Sequence, residues 1–183
     1  MDGVVCRPAT WLNLVVSRDL DRPLDFTHFN HSGSPSTIRR LVDSDVVKRL
    51  RYAWRPAMPG LSVGLASLAE IRRLVLLTGR AESARQETER WLVRHRVRDY
   101  FADIVLNDRA LPNAAFKLLT KQERGSKEHL DDDGRVAFFL ARDAGQTVYL
   151  ISWAANAGLP YPSTVRRVDS ILEAARLIRA GDD

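Results

Sequence analysis

The chain has 183 residues and a net charge of +5, with 45% hydrophobic and 28% charged residues. This composition is typical of a globular protein with a buried core, and it excludes a disordered or fibrous chain. A single cysteine, Cys6, excludes a disulfide framework and a multi-cysteine zinc site. No apolar run reaches the ~18 residues that a membrane-crossing helix needs, and the first residues do not resemble a signal peptide. We therefore expect a cytoplasmic protein that does not contact membranes.

From residue 61 onward, helix-like and strand-like segments alternate along the chain. Apolar spacing predicts helices around Leu61–Leu68, Ala84–His95, Ala114–Leu119, Val136–Leu140 and Ile171–Ile178. Short apolar runs predict strands at Leu74–Leu77, Asp103–Leu106 and Thr147–Ile151, the first of them covered on both faces. The segment His129–Asp131 is interpreted as the end of another strand, although the residues before it are polar. The alternation predicts an α/β fold with a Rossmann-like, mostly parallel sheet flanked by helices. Ligands of such sheets bind beyond the carboxyl ends of the strands.

Residues 7–58 interrupt this alternation. They contain a strand-like segment, Trp11–Val16, and a helix-like segment, Ile38–Trp54. We interpret 7–58 as a small cap or insert within a single domain spanning 1–183, and an irregular N-terminal extension is the alternative. The basic and aromatic run Lys48–Arg55 suits either contact with a nucleic-acid backbone or a solvated helix face.

Polar clusters follow the predicted strands, and each has two interpretations. Thr78-Gly79-Arg80 forms either a phosphate cradle at the start of a helix or a plain turn. Asp131-Asp132-Asp133 provides either oxygen ligands for a hard cation such as Mg²⁺ or an acidic turn that caps the next helix. Lys117, in an apolar setting, either extends its amine to solvent or faces the acidic cluster.

The order of these clusters resembles that of the haloacid dehalogenase (HAD) superfamily, whose members are mostly Mg²⁺-dependent phosphohydrolases. Thr-Gly-Arg after one strand, a lysine on a later helix and Asp-Asp after a later strand carry the resemblance, over residues 59–155 and the extreme N-terminus. The segments Leu76–Ser83, Phe116–Lys117 and Asp132–Asp133 are most similar to phosphatase domains of nucleic-acid end-healing proteins, such as polynucleotide kinase-phosphatases.

The resemblance also implies roles for individual residues. Met1–Val5 is similar to the first family motif without its first aspartate. The substrate that the resemblance implies for the protein is a phosphorylated small molecule or a nucleic-acid phosphate end. The implied catalytic residues are Asp2, as general acid and base, Thr78 and Lys117. The implied phosphate-binding residues are Thr78, Gly79, Arg80 and Lys117, and the implied Mg²⁺ ligands are Asp2, Asp132 and Asp133.

The attacking aspartate of the family would directly precede Met1, together with the buried strand that carries it. Three explanations stay open: the native protein begins upstream, Asp19 of Asp19-Leu20-Asp21 serves as nucleophile, or the chain is an inactive relative. The sequence thus predicts either a phosphohydrolase of HAD type or a HAD-like binding or regulatory module without turnover.

Overall fold

A computed structural model describes residues 1, 3–7 and 55–182 of the chain. The predicted strand Trp11–Val16, the predicted helix Ile38–Trp54 and nearly all of the predicted cap 7–58 lie outside these residues. The described helices are α1 (Leu61–Ala69), α2 (Arg85–Arg94), α3 (Asn113–Arg124), α4 (Gly134–Ala144) and α5 (Ile171–Asp182). The described strands are β1 (Leu74–Ala81), β2 (Phe101–Asn107), β3 (Glu128–Asp131), β4 (Thr147–Ile151) and β5 (Val165–Val168).

All described strand pairings within the sheets are parallel, so the predicted α/β class is confirmed. The strands form two separate sheets: β1 pairs with β2, and β3, β4 and β5 follow one another in that order. Within the described part of the chain, β1 has no ladder partner besides β2, and β3 has none besides β4. Among the described residues, the strands therefore form two sheets, whereas the sequence predicts one.

Helices cover both faces of the two sheets. On one face, α1 packs against α5, and their apolar residues share a core with Leu76 of β1 and Tyr149 of β4. On the other face, Phe116 of α3 packs against Leu77, while Leu118 of the same helix packs with α4 and β4. Helix α3 therefore contacts both sheets and holds them in one structure.

Arg72 links the two sheets at the amino ends of their strands. It lies just before β1, and its Nε donates to Glu128 Oε2 at the start of β3 over 2.7 Å. Its Nη2 donates to Asp182 Oδ1 at the end of α5 over 2.7 Å. One guanidinium thus joins three elements that are distant in the sequence.

The N-terminal residues are part of the core. Met1, Val4, Val5 and Cys6 are all buried, and Cys6 forms an antiparallel bridge with Ala57. Gly3 adopts a φ of 77°, a left-handed conformation that costs glycine little. Gly3 lies against the side chain of Asp132, so the described N-terminal residues come close to the carboxyl end of β3.

Strand β1 differs from the prediction in two ways. It continues through Thr78, Gly79 and Arg80, with an irregular register between Thr78 and Ala81, so these residues are not a turn that leads directly into a helix. Val75 is 39% exposed, so the strand is not covered on both faces along its whole length. No helix among the described residues combines the length and apolar character that a membrane crossing requires.

Candidate functional site

The centre of the candidate site is a buried ion pair between α3 and the carboxyl end of β3. The Lys117 Nζ lies 2.6 Å from Asp131 Oδ2, and both side chains are almost fully buried. His129 Nε2 lies 2.7 Å from the same oxygen. The structure thus places Lys117 facing the acidic cluster, which is one of the two interpretations that the sequence left open.

Charge and burial oppose each other in this centre. Burial acts to raise the pKa of the Asp131 carboxyl, but the Lys117 charge and the His129 hydrogen bond outweigh it and hold that pKa well below its usual value. Burial acts to lower the pKa of Lys117, and Asp131 more than offsets it, so the pKa is raised. Burial lowers the pKa of His129 to about 4. At neutral pH the site therefore holds an ammonium, a carboxylate and a neutral imidazole.

Asp131 also fixes the turn that carries the other two aspartates. Its Oδ1 accepts hydrogen bonds from the backbone N–H groups of Asp132, at 3.0 Å, and Asp133, at 3.2 Å. Asp133 is the N-cap of α4, and its Oδ1 accepts from the N–H groups of Arg135 and Val136. One oxygen of Asp133 therefore stabilises the helix, as the capping interpretation predicted.

Three carboxylates are crowded together at this edge. Burial, followed by the Asp131 charge, raises the pKa of the Asp132 carboxyl to about 7, and the same two effects raise the pKa of Asp133. A hard divalent ion would offset this repulsion, so carboxylate oxygens of Asp132 and Asp133 fit Mg²⁺ chemically. In the described part of the chain, no cluster of three or more His, Cys, Asp or Glu side chains is arranged to hold a metal.

The end of β1 lies across the site from these aspartates. Thr78 is buried, and its Oγ1 accepts from the Arg80 N–H over 3.3 Å. The Arg80 guanidinium donates to Thr88 Oγ1 of α2 over 3.1 Å, and lies 4.0 Å from Cys6 Sγ. The structure thus shows Arg80 joining β1, α2 and the N-terminal segment, and phosphate binding by Thr78, Gly79 and Arg80 stays a prediction.

Asn113, the first residue of α3, connects β1 to the aspartates. A Cβ at Gly79 would lie 2.4 Å from Asn113 Oδ1, so the Asn113 side chain would have to move if residue 79 had a side chain. The Asn113 Nδ2 lies 3.5 Å from Asp133 Oδ2. Gly79 and Asn113 are both exposed, so this side of the site opens to solvent.

Asn156 connects the turn after β3 to the end of β4 through its side-chain amide. Its Nδ2 donates to the backbone carbonyls of Asp132, at 3.0 Å, and Ile151, at 2.7 Å. Its Oδ1 accepts from the Trp153 N–H over 3.0 Å. The sequence analysis did not assign Asn113 or Asn156 to the site, because a single asparagine in a loop or at a helix start carries no distinctive spacing. The available signal was their position: Asn113 is the first residue of a helix, and Asn156 comes shortly after a buried strand.

The N-terminal segment closes the remaining side. Gly3 packs so closely against the Asp132 carboxylate that any Cβ there would overlap it. The α-amino group of residue 1 lowers the pKa values of both Asp131 and Asp132, so it also lies near the acidic turn. Asp2, and the alternative pair Asp19 and Asp21, fall outside the described residues, but both neighbours of Asp2 lie at the site.

Comparison with known proteins gives a likeness of fold. No family model and no curated protein matches the sequence. The structure of an L-2-haloacid dehalogenase from Xanthobacter autotrophicus is similar with a TM-score of 0.48 and 16% identity, over 70% of this chain and 63% of that one. A structure of the same enzyme with chloropropionic acid covalently bound gives a TM-score of 0.48 and 15% identity over the same shares. The chain thus spans less than two thirds of that enzyme, and the identity is too low to transfer an activity.

Proposed function

We propose that this protein is a Mg²⁺-dependent phosphohydrolase of HAD type that acts on phosphate monoesters. The proposal is supported by two contacts: Lys117 pairs with Asp131, which holds the turn of Asp132 and Asp133, and Asn113 lies between Asp133 and Gly79, the neighbour of Thr78. Thr78 lies in β1, Lys117 lies in α3, and Asp132 and Asp133 form the turn between β3 and α4; the resemblance assigns each of them to such a site. Phosphoryl transfer requires positive charge around the phosphoryl oxygens and a proton donor for the leaving oxygen.

Each residue of the site has a separate task in this proposal. The Lys117 ammonium, held by Asp131, and the Thr78 hydroxyl bind phosphoryl oxygens. Asp2 protonates the leaving oxygen as the phosphoryl group passes to the attacking carboxylate, and it then accepts a proton from the water that releases phosphate from that carboxylate. Oxygens of Asp132, Asp133 and Asp2 would hold Mg²⁺, which supplies charge neutralisation at the phosphoryl group. The resemblance places the attacking carboxylate on a residue directly before Met1.

A substrate class follows from the charge of the chain. The net charge of +5 suits a phosphorylated, anionic substrate, and the similarity to end-healing phosphatases suggests nucleic-acid phosphate ends. Mg²⁺, nucleic-acid ends and a cytoplasmic location remain parts of the proposal.

A HAD-like binding module without turnover is the second candidate. It is favoured by the pairing of Lys117 with Asp131, which already balances the buried lysine charge of the site. In that case the site would bind an anion or a cation without cleaving a bond.

Hydrolysis of p-nitrophenyl phosphate with Mg²⁺ separates the two candidates. We compare the chain itself with a version that is extended before Met1 by five apolar residues and a final aspartate. The proposal expects Mg²⁺-dependent turnover by the extended version, and at least a hundredfold loss when the added aspartate is replaced by asparagine or when Asp132→Asn is introduced.

Control variants keep this test specific. Thr164→Ala changes an exposed hydroxyl residue outside the site, and it should leave turnover unchanged. Binding of Mg²⁺ without turnover in every version would favour the binding module. If the extended version neither binds Mg²⁺ nor hydrolyses the ester, the phosphohydrolase proposal is rejected.

A further inference from the structure

A dense run of arginines lies at the end of α2. From Arg90 to Arg98 the chain contains four arginines and one histidine, and it contains no acidic residue. Arg90, Arg94 and Arg96 are exposed, whereas Arg98 is half-buried and its Nη1 donates to the Phe101 carbonyl over 2.8 Å. This stretch therefore concentrates positive charge on a short part of the surface.

Two of the exposed arginines, Arg90 and Arg96, have no carboxylate partner within the described part of the chain. Glu89, the acidic residue next to Arg90 in the sequence, pairs with Arg85 instead, at 3.8 Å. The helix dipole favours a cation in the last turn, at Arg94, but Arg90 lies a turn earlier and Arg96 lies beyond the helix. Helix stability therefore does not account for the whole run.

Arg96 occupies a position where glycine would be more stable. Its φ of 56° is left-handed, its N–H donates to the Val93 carbonyl over 2.9 Å, and the N–H of the next residue donates to the Leu92 carbonyl over 3.0 Å. These hydrogen bonds define the Schellman ending of a helix, whose left-handed residue is ordinarily glycine. Helices α3 and α4 do end at glycines, Gly125 with a φ of 62° and Gly145 with a φ of 59°. At the end of α2, an exposed arginine is thus present despite its backbone strain.

The positive surface continues at the start of the neighbouring strands. Leu74 at the start of β1 pairs with Phe101 at the start of β2. Arg73 and Tyr100 directly precede these two residues, so they come next to each other at the amino ends of two paired strands. Arg73 is exposed and Tyr100 is half-exposed. The basic patch is formed by Arg73, Arg90, Arg94 and Arg96.

The chemistry of the patch favours one kind of anionic partner. Val93, between these arginines, is 62% exposed, and the half-exposed ring of His95 stacks on Trp91 with the ring centroids 4.1 Å apart. One exposed valine is too little apolar area to insert into a membrane or to form the core of a stable protein interface. Single-stranded nucleic acid needs neither, because arginines contact its phosphates and aromatic rings stack on its bases.

We propose that the basic patch binds single-stranded nucleic acid through its phosphates, with His95 and Tyr100 beside the bases. Arginine suits this partner because its planar guanidinium donates two hydrogen bonds to one phosphate. Arg90 and Arg94 are ~6 Å apart along the helix axis, so each contacts a separate phosphate. The patch lies at the amino ends of β1 and β2, away from the candidate site at the carboxyl ends, so the inference is independent of the proposed hydrolysis.

Fluorescence anisotropy of a labelled oligothymidylate of about 12 nucleotides tests the proposal. Both ends of this probe are hydroxyl groups, so it offers no terminal phosphate to the candidate site. We expect the logarithm of the association constant to fall by about 2–3 for each tenfold increase in salt, as three or four phosphate contacts require. Arg90→Gln should lower the affinity about five- to tenfold at ~50 mM salt and reduce this slope by about 0.7.

Arg96→Gly separates binding from folding. It removes one charge of the patch and also the left-handed strain of the arginine. The affinity should therefore fall about as much as in Arg90→Gln, while the thermal unfolding midpoint rises by about 1–4 °C. A loss of affinity in a more stable variant cannot result from unfolding.

Arg176→Gln is the matched control. Arg176 is exposed on α5, outside the patch, and its replacement removes the same charge, so affinity and salt slope should stay those of the parent. Equal losses in Arg176→Gln and Arg90→Gln, binding that does not depend on salt, or no binding by the parent would overturn the proposal. Equal affinity for polyglutamate of the same length would also overturn it, because the patch would then recognise acidic side chains in place of phosphates.

Discussion

At the scale of single residues, Asp131 has the largest structural role in the site. One of its oxygens accepts from Lys117 and His129, and the other accepts from the backbone of Asp132 and Asp133. The charge of the first aspartate thus fixes the conformation in which the next two are presented. From the sequence, Asp132 and Asp133 are assigned to the metal site and Asp131 to the end of a strand, and only the turn geometry shows that Asp131 holds the other two.

The Lys117–Asp131 pair should be strongly coupled. Removing one member of a buried ion pair leaves an uncompensated charge, so Lys117→Met should lower the free energy of unfolding by about 3–5 kcal/mol. Asp131→Asn keeps the Oδ1 acceptor for the turn while it removes the charge. The double variant should therefore be more stable than Lys117→Met alone, as measured by urea unfolding. Strictly additive losses would contradict the coupling.

At the scale of elements, helix α4 begins at Gly134, directly after Asp133, whose carboxylate is its N-cap. Loss of an N-cap costs about 1 kcal/mol, so Asp133→Ala should lower the free energy of unfolding by roughly that amount. Asp133→Asn retains a capping oxygen and should be close to the parent in stability. Both variants lack the charge, so both should weaken Mg²⁺ binding in calorimetry. Equal destabilisation by alanine and asparagine would contradict the capping role.

Most elements could be predicted from the sequence because their apolar spacing matches one buried face. Strand β4 has the predicted bounds, and Leu61, Leu65 and Leu68 are the buried positions of α1 as their spacing predicted. Strand β5 was not predicted, since two of the four residues in Val165–Val168 are arginines. The continuation of β1 past Thr78 was missed because Gly79 there accommodates Asn113 instead of forming a turn.

The candidate site was predictable in part, for a related reason. Lys117, Asp132 and Asp133 stand out because they are charged residues within or directly after apolar segments. His129 and Asn156 do not stand out, because their importance depends on hydrogen bonds to one carboxylate and to two backbone carbonyls. These hydrogen bonds depend on how the side chains are oriented in the folded chain, which no residue spacing in a single sequence shows.

At the scale of the whole molecule, the buried amine of Lys121 makes stability depend on pH. Burial lowers its pKa to about 8, from 10.5 for an ordinary lysine. Between these two values the unfolded chain binds a proton that the folded protein does not, so the free energy of unfolding should rise as pH increases from about 8 to 10.5. The rise due to this group is at most ~3 kcal/mol.

Lys121→Met removes this titration. Urea unfolding at about pH 7 and about pH 9.5 should show a smaller pH-dependent increase in the variant than in the parent chain. Lys127→Met, at an exposed lysine, is the matched control and should keep the parent's slope. Parallel changes in the Lys121→Met variant and the parent would show that the amine is not a source of the pH dependence.

The guanidinium of Arg72 ties the end of the chain to the start of two strands. Because Asp182 is the second acceptor of this arginine, the last turn of α5 helps to hold the amino ends of β1 and β3 in place. Proteolytic removal of the final few residues would take away Asp182. Of these two carboxylates, Arg72 would then keep only Glu128. An affinity tag is therefore better separated from Asp182 by a flexible spacer, so that the carboxylate can still reach Arg72.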